Sequence, residues 1–218
     1  MRREIESDLP KLGKREYIQG GTIFNGIVAV CDELLGREWL AGARISSFKL
    51  EREATANGRL IVSDEPVRDV SANATFLAQL DRRVIHAVFV DEGRAFRREP
   101  YEEEKYNQPL RIDSDLSGEF LLPAGRPTAD FIKGVVGANK LLHQQTDRFG
   151  GELQKIQFLY LKDLAGACVS TAGEEYRLSI ANLTIKETPA EVWTINRVAV
   201  RGASHASEFR LCYRAQRS

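Results

Sequence analysis

Several things are scarce in this sequence, and each shortage removes a class of function. There is no net charge: 31 Lys and Arg balance 31 Asp and Glu over 218 residues, so the chain as a whole has no attraction for nucleic acid or anionic lipid. Cysteine is limited to Cys31, Cys168 and Cys212. These are odd in number and far apart, and no CxxC or Cys/His cluster occurs. A structural zinc therefore has no ligands, and the three read as buried thiols of a reducing compartment. No run approaches the roughly eighteen apolar residues needed to span a bilayer, and residues 1–8 hold no apolar segment of the kind a secretory signal needs. A Walker loop, a GxGxxG turn, a GxSxG elbow and an HExxH helix are all missing, which sets aside the chemistry they serve. These absences predict a soluble, cytoplasmic protein with no metal, no cofactor, no nucleic-acid partner and no membrane.

What is present is an ordinary globular composition, 43% hydrophobic and 28% charged, long enough to bury a substantial core. Its predicted order of elements occurs twice. Residues 1–13 read as a charged lead-in arm and 15–19 as a short strand. Gly20-Gly21 then ends that strand and Thr22 reads as the N-cap of a helix running to Gly36. Its apolar positions Ile23, Phe24, Ile27, Val28, Val30, Cys31, Leu34 and Leu35 cover most of the circumference, which predicts a helix buried on more than one side. From Trp39 the period changes to two: strands are expected around 45–50, 60–62, 67–80 and 84–90, with Asn57-Gly58 as a hairpin turn. After a polar stretch containing Glu102-Glu103-Glu104, a short strand over 118–122 precedes a second helix, capped by Thr128 and running over 129–145. Gly150-Gly151 closes the following loop, and strands follow around 153–161, 175–186, 192–200 and 208–214. The simplest parse is two units, residues 1–92 and 117–218, joined by a connection over 93–116.

The segment Gly21-Thr22-Ile23-Phe24-Asn25-Gly26, with Asp32-Glu33 further along, resembles the Gly-Thr-Leu-Phe-Gly-Gly … Met-Asp-Glu helix start of acyl-CoA thioesterases of the hot-dog fold. Asn25 stands where the first of the paired glycines would be. The interval to Asp32 is one residue shorter, about a hundred degrees of helix rotation. The second unit, Asp130-Phe131-Ile132-Lys133-Gly134 through Asn139-Lys140, is more similar to the first than to any named motif. The resemblance implies an α+β double hot-dog, in which two long helices and two half-sheets lie on one continuous antiparallel sheet. It also implies an acyl-CoA or acyl-carrier-protein thioester as ligand, in fatty-acid or polyketide-type metabolism. The reaction would be thioester hydrolysis or 3-hydroxyacyl dehydration at one composite site between unequal halves. A non-catalytic protein of the same fold, binding an acyl chain or a partner protein, is the alternative, and a homodimer is compatible with either. The His followed by Gly and Pro that marks dehydratases of this fold is absent from the first unit, where no His precedes the first helix.

Candidate residues follow from that frame. Gly20, Gly21 and Thr22 lie where a helix presents unpaired N–H groups, open to a carbonyl or oxyanion; the same glycines also suit a plain strand-to-helix turn. Asn25 joins them on the substrate side. Asp32 and Glu33 are the candidate acids or bases, since apolar neighbours would raise a carboxyl's pKa; either could instead face solvent at the helix end. His143 lies four residues after Asn139, on the same face of the second helix. It is either a catalytic base with Asn139 on the substrate side, or a C-terminal histidine answering the helix dipole. His86 and His205 read as structural or solvated.

Overall fold

The computed structural model describes all residues except 102–107, 114, 125–129, 150, 171–173 and 218. The Thr128 cap, the acidic run over 102–104 and Gly150 lie outside the described residues. The chain divides into two compact units, Met1–Glu102 and Glu103–Ser218.

The first unit runs β1 (Arg2–Glu6), β2 (Lys11–Leu12), α1 (Gly20–Leu35), α2 (Trp39–Gly42), β3 (Ala43–Leu50), β4 (Asn57–Ser63), β5 (Ala74–Leu80), β6 (Arg83–Arg94) and β7 (Arg98–Glu99). Five of these strands form an antiparallel sheet in the order β1-β4-β6-β5-β3. The short β2 and β7 pair in parallel beside it. Helix α1 packs on β4, β5 and β6, and its buried positions run nearly the whole way around it through Ile23, Phe24, Ile27, Val28, Val30 and Cys31. Phe24 meets Phe48 and Phe76 edge to face, at 5.4 and 5.8 Å between ring centroids, a geometry that aligns ring edges with ring faces. The helix stops at Gly36, whose φ of 84° suits glycine and whose N–H donates to Asp32 O.

Several local expectations are corrected here. The N-cap of α1 is Gln19, not Thr22; the helix starts three residues earlier because the Gly20-Gly21 pair opens its first turn. The charged arm contains β1, whose alternating burial and pairing with β4 make it a strand at the rim of the sheet. Residues 15–19 supply only an isolated bridge, Ile18 to Ala54. Asn57-Gly58 opens β4 and is not a turn. A Cβ on Gly58 would stand 1.9 Å from Val90 O and 2.7 Å from Glu92 N, so glycine is needed for close backbone approach. Asn57 is buried there, its side chain bonded to the backbone of Leu9 and Ala95. Within 93–116, β6 extends to Arg94, β7 belongs to the first unit, and a strand of the second unit begins at Gln108.

The second unit runs β8 (Gln108–Asp113), β9 (Ser117–Leu122), α3 (Asp130–Gln145), β10 (Gln157–Ala165), α4 (Gly166–Ser170), β11 (Tyr176–Glu187), β12 (Glu191–Arg201) and β13 (Ala206–Gln216). The strand order is β10-β13-β12-β11-β9-β8, antiparallel throughout. Helix α3 buries Phe131, Ile132, Val135, Ala138, Asn139, Leu142 and His143. Tyr213 on β13 is buried and its hydroxyl donates to Val136 O at 3.1 Å, tying helix to sheet. A β-bulge interrupts the β11–β12 ladder between Asn182 and Thr184, leaving Asn182 directly opposite Asn196. Among the described residues, no helix is long and apolar enough to cross a membrane.

Candidate functional site

In the first unit the candidates lie along one helix and do not converge. Gly20, Gly21 and Thr22 are buried in the first turn of α1, and Thr22 Oγ1 has no hydrogen-bond partner among the described residues. Asn25, one turn on, is half-buried. Asp32 is ten residues beyond Thr22, about 15 Å along the axis, so its carboxylate cannot act at that first turn. Its Oδ1 accepts from the Trp39 indole N–H at 2.7 Å. Burial pushes the Asp32 carboxyl above its ordinary pKa, and the Trp39 bond and the nearby Arg37 charge oppose that rise. Glu33 is exposed and ion-paired with Arg3 at 2.8 Å. One of the two carboxylates thus anchors an indole and the other rides the surface. Burial also pushes the Cys31 thiol up to about 12 and those of Cys168 and Cys212 to about 11, far from thiolate chemistry.

In the second unit the two candidates do come together. Asn139 and His143 share the buried face of α3, with 0% and 2% of their surfaces exposed. His143 Nδ1 lies 2.6 Å from Asn139 O. A carbonyl only accepts, so Nδ1 carries the proton and donates. Nε2, 2.7 Å from Thr194 Oγ1, is then the acceptor of the threonine hydroxyl in the neutral ring. Burial holds the His143 pKa below its usual value, with the Asn139 carbonyl bond as a smaller opposing cause, so the ring is neutral near pH 7. It lies parallel to Phe149 at 6.5 Å and 5.3 Å from Tyr213. The helix-dipole reading of His143 gives way to a ring bonded at both nitrogens inside the unit.

Three further residues complete the cluster. Thr194 and Asn196 project inward from β12 and are fully buried. Asn196 Nδ2 donates to Asn139 Oδ1 at 2.6 Å. Asn182 Nδ2, on β11, donates to Asn196 Oδ1 at 2.8 Å. Asn139 Nδ2 is left as a buried donor with no partner among the described residues. Sequence reasoning missed Thr194, Asn196 and Asn182. A signal existed for the first two: the inward row Val192, Thr194, Asn196, Val198, Val200 is apolar except at two neighbouring positions.

Chemically, the cluster offers a hydroxyl bonded to a neutral imidazole and, one helical turn from that ring, an unused amide donor. A hydroxyl–imidazole pair can pass a proton, and a fixed donor can stabilise a developing oxyanion.

Two units, each a long buried helix against an antiparallel sheet, make this a double hot-dog protein. The fold is similar to that of the TesB protein of Mycobacterium avium subsp. paratuberculosis, at 9% identity over 99% of this chain and 93% of that one, with a TM-score of 0.55. A protein of unknown function with a hot-dog fold from Alicyclobacillus acidocaldarius matches at 8% identity over 100% and 93%, TM-score 0.56. A candidate thioesterase from Novosphingobium aromaticivorans matches at 12% identity over 100% and 95%, TM-score 0.51. No protein-family model matches the sequence, and no curated protein does. At these identities the likeness establishes the fold.

Proposed function

We propose that this protein acts on an acyl thioester, carried on coenzyme A or an acyl carrier protein, and that it hydrolyses it at the Asn139–His143–Thr194 cluster. The observation that carries this reading is the Asn139 Nδ2 donor, unpaired among the described residues, in the same buried cluster as a hydroxyl bonded to a neutral imidazole. The candidate thioesterase of the same fold supports it. Hydrolysis fits better than dehydration, because removing a 3-hydroxyl group needs an acid as well as a base, and no carboxylate is bonded to His143 among the described residues.

Each residue then has one task. Water attacks the thioester carbonyl carbon and loses a proton to Thr194 Oγ1 as the threonine's own proton passes to His143 Nε2. Asn139 Nδ2 donates to the carbonyl oxygen as it gains charge. The tetrahedral intermediate collapses, the C–S bond breaks, and the imidazolium returns the proton to the leaving thiolate, which departs as the thiol. The Asn139 carbonyl fixes the tautomer that this sequence requires.

A second reading, an acyl-binding protein without turnover, is favoured by one feature: both His143 nitrogens are already bonded within the protein. Thiol release from a panel of acyl-CoA and acyl-carrier-protein thioesters separates the two. Hydrolysis predicts saturable release that falls at least about 100-fold in His143→Gln. No release from any chain length, with stoichiometric retention of an acyl chain, would establish the second reading. Undiminished release by a folded His143→Gln protein would remove this cluster from the reaction.

A further inference from the structure

A side-chain amide can sit either way round, so the atom Asn139 leaves open depends on what orients it. Asn182 Nδ2 lies 3.2 Å from Thr184 O and 3.5 Å from Ile195 O, backbone carbonyls that can only accept. Asn182 must face them with its nitrogen, and the same nitrogen is 2.8 Å from Asn196 Oδ1. Asn196 therefore receives at that end and gives at the other, through Nδ2 to Asn139 Oδ1. With its oxygen taken, Asn139 has only Nδ2 left to offer. Asn182 and Asn196 are the last pair before the bulge at Asn182–Thr184, and the Asn182 amide reaches the Thr184 carbonyl across it. Three amides thus carry a direction from a main-chain carbonyl into the interior. Leaving the last donor unpaired costs about 1–3 kcal/mol, and folded proteins keep few such groups.

We propose that Asn182 and Asn196 are positioning residues that fix Asn139 as a hydrogen-bond donor, so that the cluster accepts a carbonyl or oxyanion oxygen and rejects a ligand that presents an N–H or O–H there. The proposal rests on the thioester reading for its substrate, but the direction of the three amides can be tested without turnover.

Asn196→Asp is the decisive variant, because it changes one atom. Once ionised, the new carboxylate accepts from both neighbours, so Asn139 turns Nδ2 towards it and leaves Oδ1 open. When protonated, its hydroxyl donates to Asn139 and restores the original direction. Among the described residues, His143 is the titratable group bonded into the network, and on the thioester reading wild-type kcat should rise with pH as it loses its proton. The variant should do the reverse at its alkaline end. At about pH 8, kcat falls roughly 100-fold or more with KM little changed, and it recovers towards about pH 5. A variant profile parallel to wild type would overturn the proposal. Asn182→Ala, at a half-buried position, removes the anchor with less risk to folding. It should lower kcat about tenfold at constant KM, and wild-type kcat in that variant would count equally against the idea. The arm that needs no turnover is the nitrogen–proton NMR spectrum of the side-chain amides. In Asn196→Asp at about pH 8 the Asn139 NH2 signal moves downfield as it turns to the carboxylate; an unmoved signal refutes the relay. Absence of turnover in the wild type alongside the expected NMR shift would remove the thioester reading and leave the relay standing.

Discussion

Replacing Thr194 with valine exchanges a hydroxyl for a methyl group inside the second unit and hardly alters volume, so two opposed effects decide its outcome. The extra buried methyl stabilises by about 0.8 kcal/mol. Against it, His143 Nε2 loses its partner at 2.7 Å, in a ring with 2% of its surface exposed, and a stranded buried acceptor costs about 1–3 kcal/mol. The second effect wins, and the net loss is about 0.2–2 kcal/mol. For a chain of this length that lowers the thermal midpoint by up to roughly 8 °C. Thr194→Ser is the control: it keeps the hydroxyl and loses only packing, about 1 kcal/mol. The two variants therefore separate on turnover more than on stability. Serine keeps a path for the proton, whereas valine removes it, with an expected loss in kcat of about 10²–10⁴. Calorimetry and thiol release on the same preparations make the comparison. A Thr194→Val protein as stable as wild type, with unchanged turnover, would show that the hydroxyl is not the partner of the imidazole and would refute the reasoning.

Three other outcomes follow from the same contacts. Burial lowers the His143 pKa on folding, so the unfolded chain binds a proton below about pH 6.5 that the folded chain refuses. The stability due to this group is complete above that pH and falls below it, by no more than about 1.4 kcal/mol per pH unit. Urea midpoints between about pH 8 and pH 5 should fall more steeply for wild type than for His143→Gln, and parallel curves would exclude His143 as the source. Asp32→Ala removes the acceptor of the Trp39 indole at 2.7 Å and should cost about 1–2 kcal/mol with a shift in Trp39 emission; wild-type stability would mean the indole does without it. Gly58→Ala drives a Cβ into Val90 O and Glu92 N, both main chain, and should cost roughly 3 kcal/mol in urea unfolding, while a loss below about 1 kcal/mol would show that β4 and β6 can part to admit it.

The long elements were legible because their periods are unambiguous. The apolar faces of α1 and α3, and the alternation in β3, β5, β6 and β11 to β13, are properties of neighbouring residues. The shared face of Asn139 and His143 followed from their spacing alone. What could not be read depends on distant partners. β1 is a charged pentapeptide that becomes a strand only because β4 offers an edge. Gly58 looks like a turn residue until Val90 is brought against it. Gln19, with no side-chain cap bond, is the N-cap of α1 although Thr22 has the better capping chemistry. Thr194 and Asn196 follow His143 and Asn139 by 51 and 57 positions, and nothing local says which helix their inward row will meet. Asp32 and Glu33 show the opposite failure, since two carboxylates that look alike in sequence end on an indole and on a surface arginine.

The position of β1 bears on how the first unit is assembled. Its register joins Arg2 to Ser63 and Glu6 to Arg59, a long closure that must wait until β4 exists, and closures of that span slow folding. Until it happens, β4 carries Leu60-Ile61-Val62 with one backbone edge bare, a short β-prone segment able to pair with another molecule. Once docked, Arg2, Arg3, Glu4 and Glu6 place charge along that rim, with Glu4 and Glu6 held by Arg59 and Arg94. The hazard for this unit is therefore kinetic: aggregation competes with folding before β1 arrives, and its arrival closes that route.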